Sequence, residues 1–184
     1  MRVEVEQKFH LEQVGAVSRV RDTISALGGS WGESLQQTDS YFAHPVRDFS
    51  VTDEALRIRR QGDSCWITYK GPKLDSTTKT RQEIDTPLAS SAAADEMTEM
   101  FTALSFSQVA DVKKSRQIAH IVWHDRQVEV ALDEVPPLGH FVELEIVTSQ
   151  DSLDAARAAI TSLAEELGLT QSERRSYLEL LLQR

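Results

Sequence analysis

The chain has 184 residues, of which 40% are hydrophobic and 27% charged, with a formal net charge of −9. That length suits one domain with a sizeable core, expected over residues 1–184. The acidic balance argues against a nucleic-acid partner, no apolar run is long enough to span a bilayer, and the single cysteine, Cys65, excludes an internal disulfide or a cysteine zinc site.

Residues 2–9 alternate, with Val3, Val5 and Phe9 against Glu4, Glu6 and Lys8, which predicts a strand. This start has no apolar signal-peptide core, so a cytoplasmic protein is expected. Leu11, Val14, Val17, Val20, Ile24 and Leu27 predict a helix over 11–27, stopped at Gly28-Gly29. A strand follows near 34–42, and residues 44–53 read as a mobile loop. Strands over 55–61 and 65–70 turn around Gly62-Asp63. Residues 78–86 predict another strand, ended by Pro87. The helix over 90–104 has Met97, Met100, Phe101 and Leu104 as its expected buried stripe. Two long strands, 107–123 and 126–133, turn at His124-Asp125; a turn at 136–139 leads to a last strand over 140–148. The C-terminus reads as a helix over 151–167, then a final helix announced by the capping-box pattern Thr170-Gln171-Ser172-Glu173. About eight strands, mostly joined as hairpins, favour an antiparallel barrel with flanking helices, an α+β fold.

The charges follow strand parity, in which residues two apart share a face. Glu4, Glu6 and Lys8 project together, as do Arg57 with Arg59, Arg81 with Glu83 and Asp85, and Lys114 with Arg116. Glu129, Ala131 and Asp133 share a face, and so do Glu143 and Glu145. If the sheet closes, these charges meet inside. Unpaired charge in an interior is costly, and the cost is offset if cations bind the carboxylates and anions bind the bases. Paired carboxylates suit Mg²⁺ or Mn²⁺, and arginine forks suit phosphate oxygens. No Gly-x-x-x-x-Gly-Lys-Ser/Thr loop is present, so phosphate would be held by side chains on strands.

Glu4-Val5-Glu6-Gln7-Lys8 resembles the Glu-x-Glu-x-Lys signature of the CYTH (triphosphate tunnel metalloenzyme) family. Its companions follow in family order: Asp39-Ser40-Tyr41-Phe42, Leu56-Arg57-Ile58-Arg59, Trp66 through Pro72, Arg81-Gln82-Glu83, Lys114-Ser115-Arg116, Asp133 and Phe141 through Glu145. The resemblance implies an eight-stranded antiparallel tunnel acting on a triphosphate with Mg²⁺ or Mn²⁺. It implies Glu4, Glu6, Glu83, Asp133, Glu143 and Glu145 around metals. It implies Lys8, Arg57, Arg59, Lys70, Arg81, Lys114 and Arg116 on phosphate, and Lys70, Tyr41 and Lys8 nearest the reacting group. A basic residue of the C-terminus, Arg174 or Arg175, would close over the phosphates, and relatives pair as homodimers.

The family's members differ in their nucleophile. Trp66 through Pro72, Gly139 through Ile146 and Arg175 through Leu181 look most like class IV adenylate cyclases, which convert ATP to cyclic AMP and pyrophosphate. The Leu-Arg-x-Arg strand is shared with triphosphatases acting on tripolyphosphate, thiamine triphosphate or nucleotides. Ala55 stands where animal thiamine triphosphatases carry a Trp, which counts against a thiamine specialist. A third reading is a triphosphate-binding module without turnover.

Overall fold

The computed structural model describes residues 2–72 and 81–184, excepting the Arg2 side chain. In chain order these form β1 (Arg2–His10), α1 (Ala16–Ala26), β2 (Ser30–Trp31), β3 (Leu35–Ala43), α2 (Phe49–Thr52), β4 (Ala55–Gln61), β5 (Ser64–Lys70) and β6 (Glu83–Leu88). They continue as α3 (Ser91–Ala103), β7 (Ser107–Trp123), β8 (Arg126–Val135), β9 (Gly139–Ser149), α4 (Leu153–Glu166) and α5 (Tyr177–Leu182). Eight strands make one antiparallel path, β1-β9-β8-β7-β3-β4-β5-β6, with the short β2 added beside β7. The sheet curls until β1 meets the residue two places before β6 at an isolated bridge, Glu4 to Arg81. No helix among the described residues is long and apolar enough to cross a membrane.

Alternation decides which face is which. The apolar positions of β1, β8 and β9 (Val5, Val130, Val142, Leu144, Ile146) pack outward against Val20 and Ile24 of α1 and Ile160 and Leu163 of α4. On the other side Phe42, Ile58 and the buried Cys65 pack against Ala94 and Phe101 of α3. The helices therefore cover the outside, and the polar positions are left to face one another within the curl.

Several boundaries differ from the sequence expectation, each for a local reason. Leu11 extends the β1 pairing by donating its N–H to the His140 carbonyl, and α1 begins only after Gly15 at φ 77°, so Val14 lies exposed outside the helix. The stretch 44–53 contains the one-turn α2, capped by Asp48. Of the expected strand 78–86, residues 78–80 lie outside the described residues; β6 runs on through Pro87, opposite Trp66. Among the described residues its other flank has no ladder there, and an edge tolerates the missing donor. On α3 the buried stripe is Ala94, Met97 and Phe101, while Met100 and Leu104 face solvent.

The final helix starts later than Thr170. Ser172 bridges to Phe9 and Glu173 donates its N–H to the Lys8 carbonyl at 2.6 Å, so this segment is extended along β1. A second Ser-x-x-Glu pattern, Ser176 to Glu179, forms the actual capping box of α5.

Candidate active site

The inward charges enclose a cavity of 570 Å³. They are sorted by strand order. On the contiguous strands β1, β9 and β8 stand Glu4, Glu6, Glu143, Glu145 and Glu129. On β7, β4 and β5, separated only by β3, stand Lys114, Arg116, Arg57, Arg59 and Lys70. Apart from Lys8 of β1, one wall is acidic and the facing wall is basic. Arg81, Glu83 and Asp85 line the seam at β6, and Tyr41 lines the cavity from β3.

Register creates a row of like charges on the acidic wall. Glu145 pairs with Glu6 on one side and with Glu129 on the other. Like charges directly opposite across strands repel. Burial, followed by Glu129, Glu6 and Glu83, lifts the Glu145 carboxyl to about 7 against the pull of Lys70. Burial also raises Glu4 well above the carboxylate range, with Glu145 and Glu83 adding to it and Lys70 opposing. A cation bound between these carboxylates would relieve both shifts.

The basic wall is braced from beneath by two carboxylates. Asp39, 1% exposed, grips Arg59 through Nε at 2.6 Å and Nη2 at 2.8 Å, and Arg57 through Nη1 at 3.1 Å. Burial alone would raise the Asp39 carboxyl, but the two guanidiniums outweigh it and hold it far below its usual range. Asp133 grips Arg116 at 2.7 and 2.5 Å, and Lys114 lies 3.5 Å away. Arg116 also reaches Glu143. Burial and then Arg116 push Lys114 down to about 8, against the pull of Asp133. Arg57 Nε is buried without a hydrogen-bond partner, a donor left for an incoming oxygen.

The remaining lysines sit differently. Lys70 pairs with Glu83 at 2.5 Å and Glu4 at 3.4 Å. Burial opposes its charge, yet these two carboxylates hold it above the ordinary lysine range, so it stays a cation. Lys8, 1% exposed, donates to the Arg175 carbonyl and lies 4.1 Å from the Tyr177 ring centroid. Tyr177 joins Val112, Val135 and Phe141 in an apolar cluster at this end of the tunnel.

Every site residue expected from the sequence lines this cavity except Asp133, which lies under the basic wall with its oxygens engaged by Arg116, Lys114 and Tyr177. The guanidinium of Arg175 turns aside to Glu173 and Gln183. Asp39, Glu129 and Tyr177 went unselected in the sequence. Strand parity points to the first two, since Asp39 keeps step with Tyr41 and Glu129 with Asp133; Tyr177 lies in the cyclase-like stretch from Arg175 to Leu181, but no local pattern there gives it a role.

Among the described residues no three acidic, histidine or cysteine side chains gather into a ready-made metal cage. The all-oxygen acidic wall still fits Mg²⁺ or Mn²⁺, because such ions keep waters and take one or two carboxylates together with substrate phosphates.

The CYTH domain model matches residues 2–177. A Methanocaldococcus jannaschii protein named provisionally as an adenylate cyclase is 33% identical over 181 residues, covering 97% of this chain and 98% of the relative. The solved PH1819 protein of Pyrococcus horikoshii OT3 superposes with a TM-score of 0.85 at 38% identity, covering 98% of each chain. HpAC1 of Hippeastrum, for which a dominant triphosphatase activity is described, shares the fold at 16% identity and a TM-score of 0.71, covering 100% of this chain and 96% of that one. With a family model matching nearly its whole length, the chain belongs to the CYTH domain family.

Proposed function

We propose that this protein is a divalent-metal-dependent enzyme that converts ATP to cyclic AMP and pyrophosphate inside the tunnel. The observation that carries the triphosphate reading is the division of one cavity into an acidic wall on β1, β9 and β8 and a basic wall on β7, β4 and β5. An anion with a bound cation is the ligand that complements both walls at once. The cyclase assignment draws on the 33% identical relative with that name.

Arg57, Arg59, Lys114 and Arg116 would hold the phosphate oxygens, pre-aimed by Asp39 and Asp133. Glu4, Glu6 and Glu145, with Glu129 and Glu143 beside them, would hold Mg²⁺ or Mn²⁺. Asp133 acts through Arg116 and Lys114. When bound, the ion would neutralise phosphate charge and lower the pKa of a coordinated hydroxyl. Because Lys70 is held protonated by Glu83 and Glu4, it serves as a fixed charge and not as a base. In the reaction the ribose 3′-oxygen bonds to the α-phosphorus, the bond from that phosphorus to the bridging oxygen breaks, and the hydroxyl proton passes to solvent. Charge builds on the departing pyrophosphate, which is where preorganised cations act.

Incubation with ATP and Mn²⁺ or Mg²⁺ tests this. The expected products are cyclic AMP and pyrophosphate in equal amounts, abolished by a chelator. Orthophosphate without cyclic AMP would assign hydrolysis and reject cyclisation.

A further inference from the structure

Three of the four cavity arginines are held by carboxylates: Arg57 and Arg59 by Asp39, and Arg116 by Asp133. The fourth, Arg81, is 7% exposed and is held differently. Its Nη1 donates to the backbone carbonyl of Asp53 at 3.2 Å, and among the described residues it has no carboxylate partner. A carbonyl orients a guanidinium without cancelling its charge, and most of the N–H donors are left over. Arg81 thus keeps its charge and its fork for an anion in the tunnel.

Where Arg81 points therefore depends on where the Asp53 carbonyl sits. Asp53 ends α2 with a left-handed backbone, φ 58° and ψ 34°, and turns the chain into β4. Such a conformation is costly for a residue with a Cβ and persists where its surroundings fix it. The next residue does the fixing. Glu54 donates its N–H to the Phe49 carbonyl at 3.1 Å, and its side chain is only 3% exposed. The carboxylate accepts from Thr52 Oγ1 of α2 at 2.6 Å and from the Tyr69 phenol of β5, and it pairs with Arg47 at 3.3 Å. The bond to Glu54 lifts the Tyr69 phenol above its ordinary range, so it stays a donor. Tyr69 stands opposite Leu56, which packs outward towards α3, so this clamp lies on the outer face of the barrel. Ala55, Arg57 and Lys70 of the same two strands line the tunnel, and neither Glu54 nor Tyr69 does.

We propose that Glu54 is a positioning residue for the triphosphate site: from outside the barrel its carboxylate pins the Asp53–Glu54 elbow to β5, and the pinned Asp53 carbonyl directs Arg81 at phosphate oxygens inside. The assignment rests on the triphosphate reading of the tunnel. It gives a buried carboxylate that touches no ligand a defined share in ligand affinity, passed on through one hydrogen bond to one arginine.

The test is a double-mutant cycle on tripolyphosphate affinity with Mg²⁺, measured by calorimetry on the full chain. The variants are Glu54→Gln, Tyr69→Phe, Arg81→Gln, and each of the first two combined with Arg81→Gln. Arg81→Gln is expected to weaken binding about tenfold or more, and Glu54→Gln about threefold to tenfold, the scale of a charge-assisted bond lost or misaimed. Tyr69→Phe removes one donor from the clamp and is expected to act in the same direction. In the Arg81→Gln background neither should add more than about twofold, because residues acting through one interaction are not additive. Full additivity in the doubles would overturn the proposal, since the clamp would then serve the fold at large. Unchanged affinity in Glu54→Gln, or in Arg81→Gln, would overturn it too. If Glu54→Gln does not fold, the cycle with Tyr69→Phe decides by the same criteria. If the wild type fails to bind tripolyphosphate, the tunnel reading falls and the positioning role with it; binding without coupling overturns the positioning role alone.

Discussion

The phenol of Tyr177 donates a hydrogen bond to Oδ2 of Asp133 at 2.8 Å, joining the last helix to the carboxylate that aims Arg116. The same ring lies 4.1 Å from Lys8 Nζ and 5.2 Å from Lys114 Nζ. One side chain from α5 thus touches Asp133 beneath the basic wall, Lys114 on that wall and Lys8 on β1.

Tyr177→Phe keeps the ring and removes the donor. Its expected cost is about 1.5–3 kcal/mol in chemical denaturation, as for a buried hydrogen bond to a charged group. Tyr177→Leu also removes the cation–π contacts and should cost more. Both variants should weaken triphosphate binding, and Phe less than Leu. Equal behaviour of the two would reject a role for the ring.

Asp39 is the counter-charge of two arginines at once. Asp39→Ala should destabilise the ligand-free protein by about 3 kcal/mol, because it leaves part-buried cations without their anion. Tripolyphosphate supplies anionic oxygens to the same guanidiniums, so it should raise the Tm of this variant by more than it raises that of the wild type. Thermal shifts with and without tripolyphosphate decide this.

Lys114, held at about 8 by burial and Arg116, offers a proton-linkage test. An arriving phosphate favours the charged form and raises this pKa. Metal-free tripolyphosphate binding near pH 8 should therefore take up protons, and affinity should fall as pH rises from 7 to 9. Calorimetry in buffers of different ionisation enthalpy measures the uptake; Lys114→Gln should reduce it.

How far the sequence reached follows from the rigidity of the strand period. Two-residue spacing fixes a face whatever the tertiary context, so Glu4 with Glu6, Arg57 with Arg59 and Glu143 with Glu145 were legible as shared walls. The layer beneath was not. That Asp39 and Asp133 brace arginines, and that Tyr177 reaches Asp133 across 44 residues of chain, depends on long-range packing. The last helix was misplaced because Thr170 to Glu173 and Ser176 to Glu179 carry the same local signal. Pairing of Ser172 and Glu173 along β1 decided between them.

Glu145, lifted to about 7 from an ordinary 4.5, makes stability depend on pH. Between those values the folded chain binds more protons than the unfolded one, so this contribution is present below pH 4.5 and lost as pH rises through 7. The metal-free Tm should therefore carry a decreasing component between pH 5 and 7.5, absent from Glu145→Gln. Each 1 kcal/mol corresponds to about 2–4 °C for a chain of this size. Mg²⁺ or Mn²⁺ should restore more stability at pH 7.5 than at pH 5, because the ion competes with the proton.

The most direct test is anomalous diffraction from crystals grown with Mn²⁺ and α,β-methylene ATP. Manganese is expected against Glu4, Glu6 or Glu145, with triphosphate oxygens on Arg57, Arg59, Lys114 and Arg116. Manganese away from the acidic wall, or phosphates bound outside the tunnel, would contradict it.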